Sequence, residues 1–280
     1  MKAAILTKQN RPLIVDEIEI PDKLDAGQVL VKVHISGICG SQIGEIKGVK
    51  GPDKFLPHLM GHEGCATVLE IGPGVKNVKK DDLVVLHWKK GTGIESNTPK
   101  YIWKGKLVNA GWVTTFNTHA IVSENRCTSI PKNTDKEIAA LFGCAISTGF
   151  GVIEKNANVQ IGQSVVVFGS GGIGLNIIQA AHLRSAWPII AVDLFENRLS
   201  LAKKLGATHL INSSKEDFKN QIKNILGSKG IDVFIDNTGI PEIIELGYEL
   251  THSEGKIILV GVPKVGQNIN IFSLPLHFGK

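Results

Sequence analysis

Cys39, His62 and Cys144 are the residues with the strongest claim to chemistry: two thiols and an imidazole, the soft and borderline donors that zinc prefers. No fourth strong ligand adjoins them, and three protein ligands with a free position describe a catalytic rather than a structural site. Each also has a plainer reading, the cysteines as small buried hydrophobes and the histidine as a hydrogen-bonded core residue. Spacing alone leaves the two readings level. Cys65 and Cys127 are the remaining cysteines, and with four far-separated thiols in 280 residues and no C-x-x-C pair a disulfide framework is not expected.

The second constellation is SVVVFGSGGIG at residues 164–174. Val165–Phe168 is an apolar run too short for a helix, as in a strand buried on both faces of a parallel sheet. Gly169, Gly171 and Gly174 follow as G-x-G-x-x-G, with Gly172 and Ile173 between, ahead of a helical pattern at Leu175, Ile178 and Leu183. Glycines allow a tight turn, close approach of backbone to a pyrophosphate, and packing of helix on strand, while the helix N-terminus supplies N–H donors. The next apolar run, 189–192, ends in Asp193, nineteen residues past Gly174, where a carboxylate can accept both hydroxyls of an adenosine ribose. Strand, turn, helix, strand and acid in that order favour a dinucleotide site over an ordinary glycine-rich turn.

The rest of the chain must position these groups. Val29, Val31, Val33 and Ile35 alternate with Leu30, Lys32 and His34, giving a strand with one apolar face, and a break at GICGSQ then sets Cys39 at a turn. His62 and Glu63 open another strand that ends at the turn Gly72-Pro73-Gly74, and Cys144 stands just ahead of a helix. Beyond Asp193 the pattern predicts a helix over Leu199, Ala202 and Leu205, a strand His209–Asn212, a helix over Phe218, Ile222, Ile225 and Leu226 capped by Ser214 and ended by Gly227, and strands at 232–235 and 256–261. Five strands joined in βαβ fashion predict a parallel sheet whose ligand edge lies at the strands' C-terminal ends.

Composition excludes several classes. The sequence is 42% hydrophobic and 20% charged, with a net charge of +5 spread over pairs such as Lys79-Lys80 and Lys203-Lys204. No basic stripe interleaved with aromatics points to nucleic acid. No run reaches transmembrane length and no cleavable apolar leader opens the chain, so the expectation is a cytoplasmic protein without membrane partners.

CGS at 39–41, GHEG at 61–64, GCAISTGFG at 143–151 and GSGGIG at 169–174, in that order over essentially the whole chain, resemble the zinc-dependent medium-chain alcohol dehydrogenases of the medium-chain dehydrogenase/reductase family. The resemblance implies an α/β protein: a GroES-like, β-rich catalytic domain at residues 1–147 and a Rossmann NAD-binding domain, a doubly wound parallel sheet, at 148–280. It implies one catalytic Zn2+ held by Cys39, His62 and Cys144, with Glu63 a neighbouring or alternate ligand. It also implies Ser41 as the hydroxyl passing the alcohol proton onward, Trp88 facing a small alcohol or carbonyl substrate, and Thr148 packing on the nicotinamide. Arg198 and residues Val260, Gly261 and Val262 join the glycines and Asp193 in binding NAD, and the full-length chain is expected to form a homo-oligomer. A polyol or sugar dehydrogenase with the same site, and a truncated, noncatalytic zinc- and nucleotide-binding module, remain the alternatives.

The sequence departs from the family pattern in three places. Gln42 stands where an aspartate commonly holds the zinc-bound histidine; an amide can accept a hydrogen bond from the ring but carries no charge, leaving the ligand less basic. Gly44 replaces a histidine that ends the proton relay in some members. Residues 86–118 contain no cysteine, where many members carry four around a structural zinc, so one zinc per chain is expected. That lobe holds Trp88, Tyr101, Trp103 and Trp112, which, Trp88 apart, are expected to form its replacement core. Family members also run several dozen residues further, so the Rossmann domain is expected to be incomplete and to leave an unpaired sheet edge prone to associate.

Overall fold

The structure, a computed structural model, describes residues 1–215 and 217–277 and divides into two compact units, Met1–Ser147 and Thr148–Lys280. The first unit is built on a five-stranded antiparallel sheet in the order Cys127–Ile130, Leu83–Leu86, Gly64–Ile71, Gln28–Ser36, His119–Ser123. The period of two along Gln28–Ser36 turns Val29 and Val31 into a core with Ala66, Val68, Val84, Leu86, Ala120 and Val122. The sheet's other face packs Cys65, Leu83 and Val85 on Ala139 and Ala140 of the helix Lys136–Leu141. A three-stranded sheet, Ile14–Glu17, Lys2–Leu6 and His58–Leu59, shares a further core with Tyr101 and Val108 of a two-stranded ribbon.

The cysteine-free lobe is organised by a carboxylate. Glu124, 1% exposed, accepts hydrogen bonds from Lys76 N (2.6 Å), Asn77 N (2.8 Å) and Ile94 N (2.7 Å), so one side chain ties two loops to the end of a strand. Tyr101 and Trp103 belong to a core as expected, and the buried Tyr101 hydroxyl, pushed up to about 12 by burial, accepts from Ile121 N. Trp112 departs from the expectation: it is 43% exposed, with the Arg126 guanidinium 5.5 Å from its ring. Its indole N–H donates to Ser96 O at 3.1 Å, and the guanidinium on its ring is paired with Glu95 at 3.3 Å, so the ring packs on polar neighbours and not in an apolar core.

Burial penalises the Glu124 charge, but the three N–H donors prevail and hold its carboxyl below the ordinary glutamate range. A depressed carboxyl stabilises the fold above its unfolded-state pKa and loses that contribution as pH falls through the folded value. Glu124→Gln is expected to cost about 2 kcal/mol at neutral pH, because an amide NH2 must face a backbone donor. Urea unfolding at pH 7 and again in acid measures it: the gap between variant and parent should narrow as the pH drops.

The second unit carries five parallel strands in the order His209–Asn212, Ile189–Asp193, Val165–Phe168, Ile231–Asp236, Thr251–Leu259. Alternate residues of the central strand face different cores: Val165 and Val167 meet Ile177, Ile178 and Ala181, while Val166 and Phe168 meet Ile222 and Phe234. Each such side chain, fully removed from water, contributes roughly 1.5–3 kcal/mol, which is why a continuous apolar run suits a sheet covered by helices on both sides.

Three local expectations change. The helix Phe218–Leu226 is capped by Asp217, whose carboxylate accepts from Asn220 N, and not by Ser214, whose backbone N and hydroxyl are both spent on Asn212 Oδ1. Leu183 is 65% exposed; the helix Gly172–Leu183 buries Ile177, Ile178, Ala180 and Ala181 instead. The last strand runs Thr251–Leu259 rather than 256–261, so Val260, Gly261 and Val262 fall just past its C-terminal end. A helix at Pro241–Leu250, opened by proline at its first position, makes the expected βαβ crossover between the last two strands. Among the described residues no helix is long and apolar enough to cross a membrane.

Candidate metal and nucleotide sites

The strand register of the first unit assembles its donor cluster. Ser36 pairs with Gly64, and Gly37 N extends the ladder to Glu63 O at 3.1 Å, so the ends of two strands deliver Cys39 and the His62-Glu63 pair to one place. Gly64 also pairs with Leu86, and Trp88 N donates to Gly143 O at 3.4 Å, which brings up Cys144. Cys39 caps the helix Gly40–Ile46, which carries Ser41 and Gln42 in its first turn. Donor atoms of Cys39, His62, Glu63 and Cys144 consequently lie within 4.8 Å of one another, the two sulfurs 3.9 Å apart.

The electrostatics of this cluster are those of an unfinished ligand set. His62 Nε2 and Glu63 Oε2 are buried without a hydrogen-bond partner. The Cys39 thiol is pulled well down by the hydrogen bond from Cys144, aided by His62 and Ser41 and opposed by burial. Burial, then the Cys39 charge, pushes the Glu63 carboxyl up. Cys65 and Cys127 are the contrast: both are buried in apolar surroundings that push their thiols up, away from thiolate character. Two thiols, one bare imidazole nitrogen and a carboxylate around one point fit Zn2+.

Gln42 departs from its expected role. Its carbonyl oxygen accepts from Cys39 N at 3.1 Å, and its amide nitrogen pairs with His62 Nδ1, so the amide donates to the ring rather than accepting from it. Gly44 offers no side chain, and Trp88, 48% exposed, follows the strand Leu83–Leu86 close to Gly143.

In the second unit Gly169 has φ +91°, a conformation side chains resist, and a Cβ on Gly174 would lie 2.0 Å from Gly169 O. These two glycines seat the N-terminus of the helix Gly172–Leu183 over the end of Val165–Phe168, with Gly171 as its N-cap and Gly172 and Ile173 in the first turn. Asp193 closes Ile189–Asp193 at the same sheet edge; it is 5% exposed, accepting from Ser170 N at 2.7 Å and Phe195 N at 2.9 Å. Arg198 Nη1 lies 3.6 Å from Asp193 Oδ2, its guanidinium over the Phe195 ring. Val260, Gly261 and Val262 emerge from that edge as well, and Val260 N and Gly261 N donate to Asp236 O. Thr148 sits half-buried in the helix Ala145–Gly151. Sequence reasoning missed the Ser170 and Phe195 backbone donors that lock Asp193, since they are contacts of the fold and carry no side-chain signal.

A GroES-like unit with a Cys-His-Cys donor cluster and a Rossmann unit with a glycine turn and strand-end aspartate define a zinc-type dehydrogenase. Residues 25–132 match the alcohol dehydrogenase GroES-like domain and residues 172–278 the zinc-binding dehydrogenase domain. The chain is 30% identical over 309 aligned residues to an S-(hydroxymethyl)glutathione dehydrogenase from Escherichia coli, covering 100% of this chain and 82% of that one. A Synechocystis protein of the same description is 29% identical with the same coverage. Benzyl alcohol dehydrogenase from Acinetobacter calcoaceticus superposes with a TM-score of 0.87 at 30% identity, over 99% of this chain and 81% of that one. The chain thus belongs to the medium-chain dehydrogenase/reductase family, and it is an alcohol dehydrogenase-type oxidoreductase.

Proposed function

We propose that this chain interconverts a small-molecule alcohol and its carbonyl compound with NAD as hydride carrier, using one catalytic zinc held by Cys39, His62 and Cys144 with Glu63 beside them. The observation that carries the reading is the convergence of those four donors with His62 Nε2 and Glu63 Oε2 left bare in a buried site. Zinc bound there supplies Lewis acidity that lowers the pKa of an alcohol hydroxyl.

The chain's own groups do the rest. The thiolates of Cys39 and Cys144 balance the positive charge, and His62 supplies a neutral donor. Ser41, whose hydroxyl already reaches the Cys39 sulfur, takes the alcohol proton and hands it toward solvent. Trp88 is assigned to the substrate pocket and Thr148 to the nicotinamide. The first-turn N–H groups after Gly169 and Gly171 receive the pyrophosphate. Asp193 accepts the ribose hydroxyls, with Arg198 holding the carboxylate and the sugar edge, and Val260, Gly261 and Val262 line the cofactor's path along the sheet edge. The test is metal content together with the 340 nm change on adding NAD and an alcohol panel that opens with S-(hydroxymethyl)glutathione and benzyl alcohol and extends to polyols. Zinc without turnover on any of them would favour a noncatalytic binding module.

Gln42 yields a sharper test. A metal on His62 Nε2 places the ring proton on Nδ1, which then needs an acceptor, and the Gln42 oxygen is engaged by Cys39 N. Aspartate at this position accepts without competition. Gln42→Asp is expected to tighten zinc by roughly tenfold or more in competition with a chromophoric chelator; weaker retention would mean that Gln42 is not positioning the ring.

A further inference from the structure

Glu45, Asp53 and His58 form a second donor cluster whose ligand atoms lie within 4.8 Å of one another, and no cysteine is involved. They come from three segments: Glu45 from the last turn of the helix Gly40–Ile46, Asp53 from the loop that follows, His58 from the short strand His58–Leu59. Gln9 ties the first two together, its oxygen accepting from Asp53 N at 3.3 Å and its nitrogen donating to Gly51 O at 3.0 Å and Glu45 O at 3.4 Å. Phe55 N donates to Asp53 Oδ1 at 2.8 Å and so turns Oδ2 toward His58.

The chemistry at His58 is unbalanced. Nδ1 lies 2.9 Å from Leu59 O, while Nε2 lies 2.8 Å from Asp53 Oδ2 and 3.5 Å from Glu45 Oε1. Every partner of the ring is an acceptor. A ring whose Nδ1–H donates to a backbone carbonyl presents a bare Nε2 to two carboxylates, which is the second-layer arrangement of a metal-ligating histidine and is repulsive without a cation. An imidazolium serves Leu59 O and Asp53 Oδ2 but has no N–H for Glu45 Oε1, and it leaves one carboxylate charge over, at Glu45, whose side chain is 40% exposed beside the buried His58 and Asp53. The nearby Lys100 ammonium is engaged with Asn109 Oδ1. Donors 2.8 and 3.5 Å apart, each about 2.1 Å from a shared ion, subtend roughly 84° and 113°, within the range of four- to six-coordinate N/O sites. Access exists: a cavity of about 460 Å³ in the first unit is lined by Glu45, Phe55 and His58 and is shared with Gln42 and His62 of the cysteine site.

We propose that Glu45, Asp53 and His58 bind a second divalent transition-metal ion, of the Zn2+ and Co2+ class, that clasps the 47–57 loop to the helix and strand at its ends. Two carboxylates neutralise the ion, and one imidazole biases the set away from Mg2+ and Ca2+, which take oxygen throughout. The expectation of one zinc per chain counted only the missing lobe cysteines. This site uses none, and it stands whether or not the cysteine site is catalytic.

The test is Co2+ titration of the metal-stripped 280-residue chain. The cysteine site reports itself by a thiolate-to-cobalt charge-transfer band, whereas an imidazole and two carboxylates give only weak ligand-field absorption. The expected result is two equivalents bound, the second without the charge-transfer band. His58→Ala should remove the second equivalent, and Glu45→Gln, at the most exposed of the three ligands, should weaken it at least tenfold. Both variants should keep the charge-transfer band, which shows that they have folded. One equivalent in the parent chain, or a second equivalent indifferent to both substitutions, would overturn the proposal.

Discussion

Cys144→Ser and Cys39→Ser are each expected to strip the zinc and to lower turnover by about a thousandfold or more, while Cys65→Ala and Cys127→Ala are expected to keep both metal and activity. The asymmetry follows from environment. A serine hydroxyl is not ionised at neutral pH and is a poor zinc ligand, so either ligand change leaves a single thiolate beside His62 Nε2 and Glu63 Oε2. Cys39 also has the surroundings that favour a thiolate, with a hydrogen bond from Cys144 and with His62 and Ser41 beside it. Cys65 and Cys127 lie in the apolar cores of the antiparallel sheet, where burial favours the neutral thiol, and their loss should show only as a small decrease in stability. Metal analysis of the purified variants beside 340 nm assays decides the matter. Equal losses from all four cysteines would sink the assignment.

The second large effect concerns coenzyme choice. NAD is expected over NADP by about a hundredfold in kcat/KM, a gap of roughly 3 kcal/mol. The cause is one carboxylate: Asp193, held by Ser170 N and Phe195 N, cannot swing away from a 2′-phosphate. Like charges a few ångströms apart cost on the order of 1–4 kcal/mol between water-like and surface-like screening, before lost ribose hydrogen bonds are counted. Arg198, 3.6 Å from that carboxylate, is neutralised by it now and becomes available to a phosphate once the carboxylate is gone. Asp193→Ser should therefore shrink the ratio sharply, mostly through a better KM for NADP. Asp193→Asn separates charge from packing, since its amide oxygen can still accept one of the two backbone N–H groups. An unmutated protein that uses both coenzymes equally well would remove Asp193 from the site.

Much of the fold was legible because its signals are local. The Rossmann half announces itself through an apolar run, a glycine turn and a strand-end acid, each confined to a few residues, and its parallel order follows from βαβ connection. Period-two alternation similarly revealed the Gln28–Ser36 strand and the face it buries. Where expectations slipped, at the Asp217 cap, the end of Thr251–Leu259 and the exposed Trp112, neighbouring residues compete for the same role and only packing chooses between them.

Sequence by itself determined the kinds of donor available, two thiols and an imidazole far apart in the chain, and the order of motifs that marks the family. Tertiary structure alone decided which of them meet. The pairing of Ser36 with Gly64 and of Gly64 with Leu86 converts separations of more than a hundred residues into a 3.9 Å sulfur–sulfur approach. The same is true of Glu124 under its three backbone donors and of Glu45, Asp53 and His58 around one point. No motif encodes these clusters, because a carboxylate's partners are backbone N–H groups or side chains whose proximity comes from strand register, and register is a property of the folded sheet.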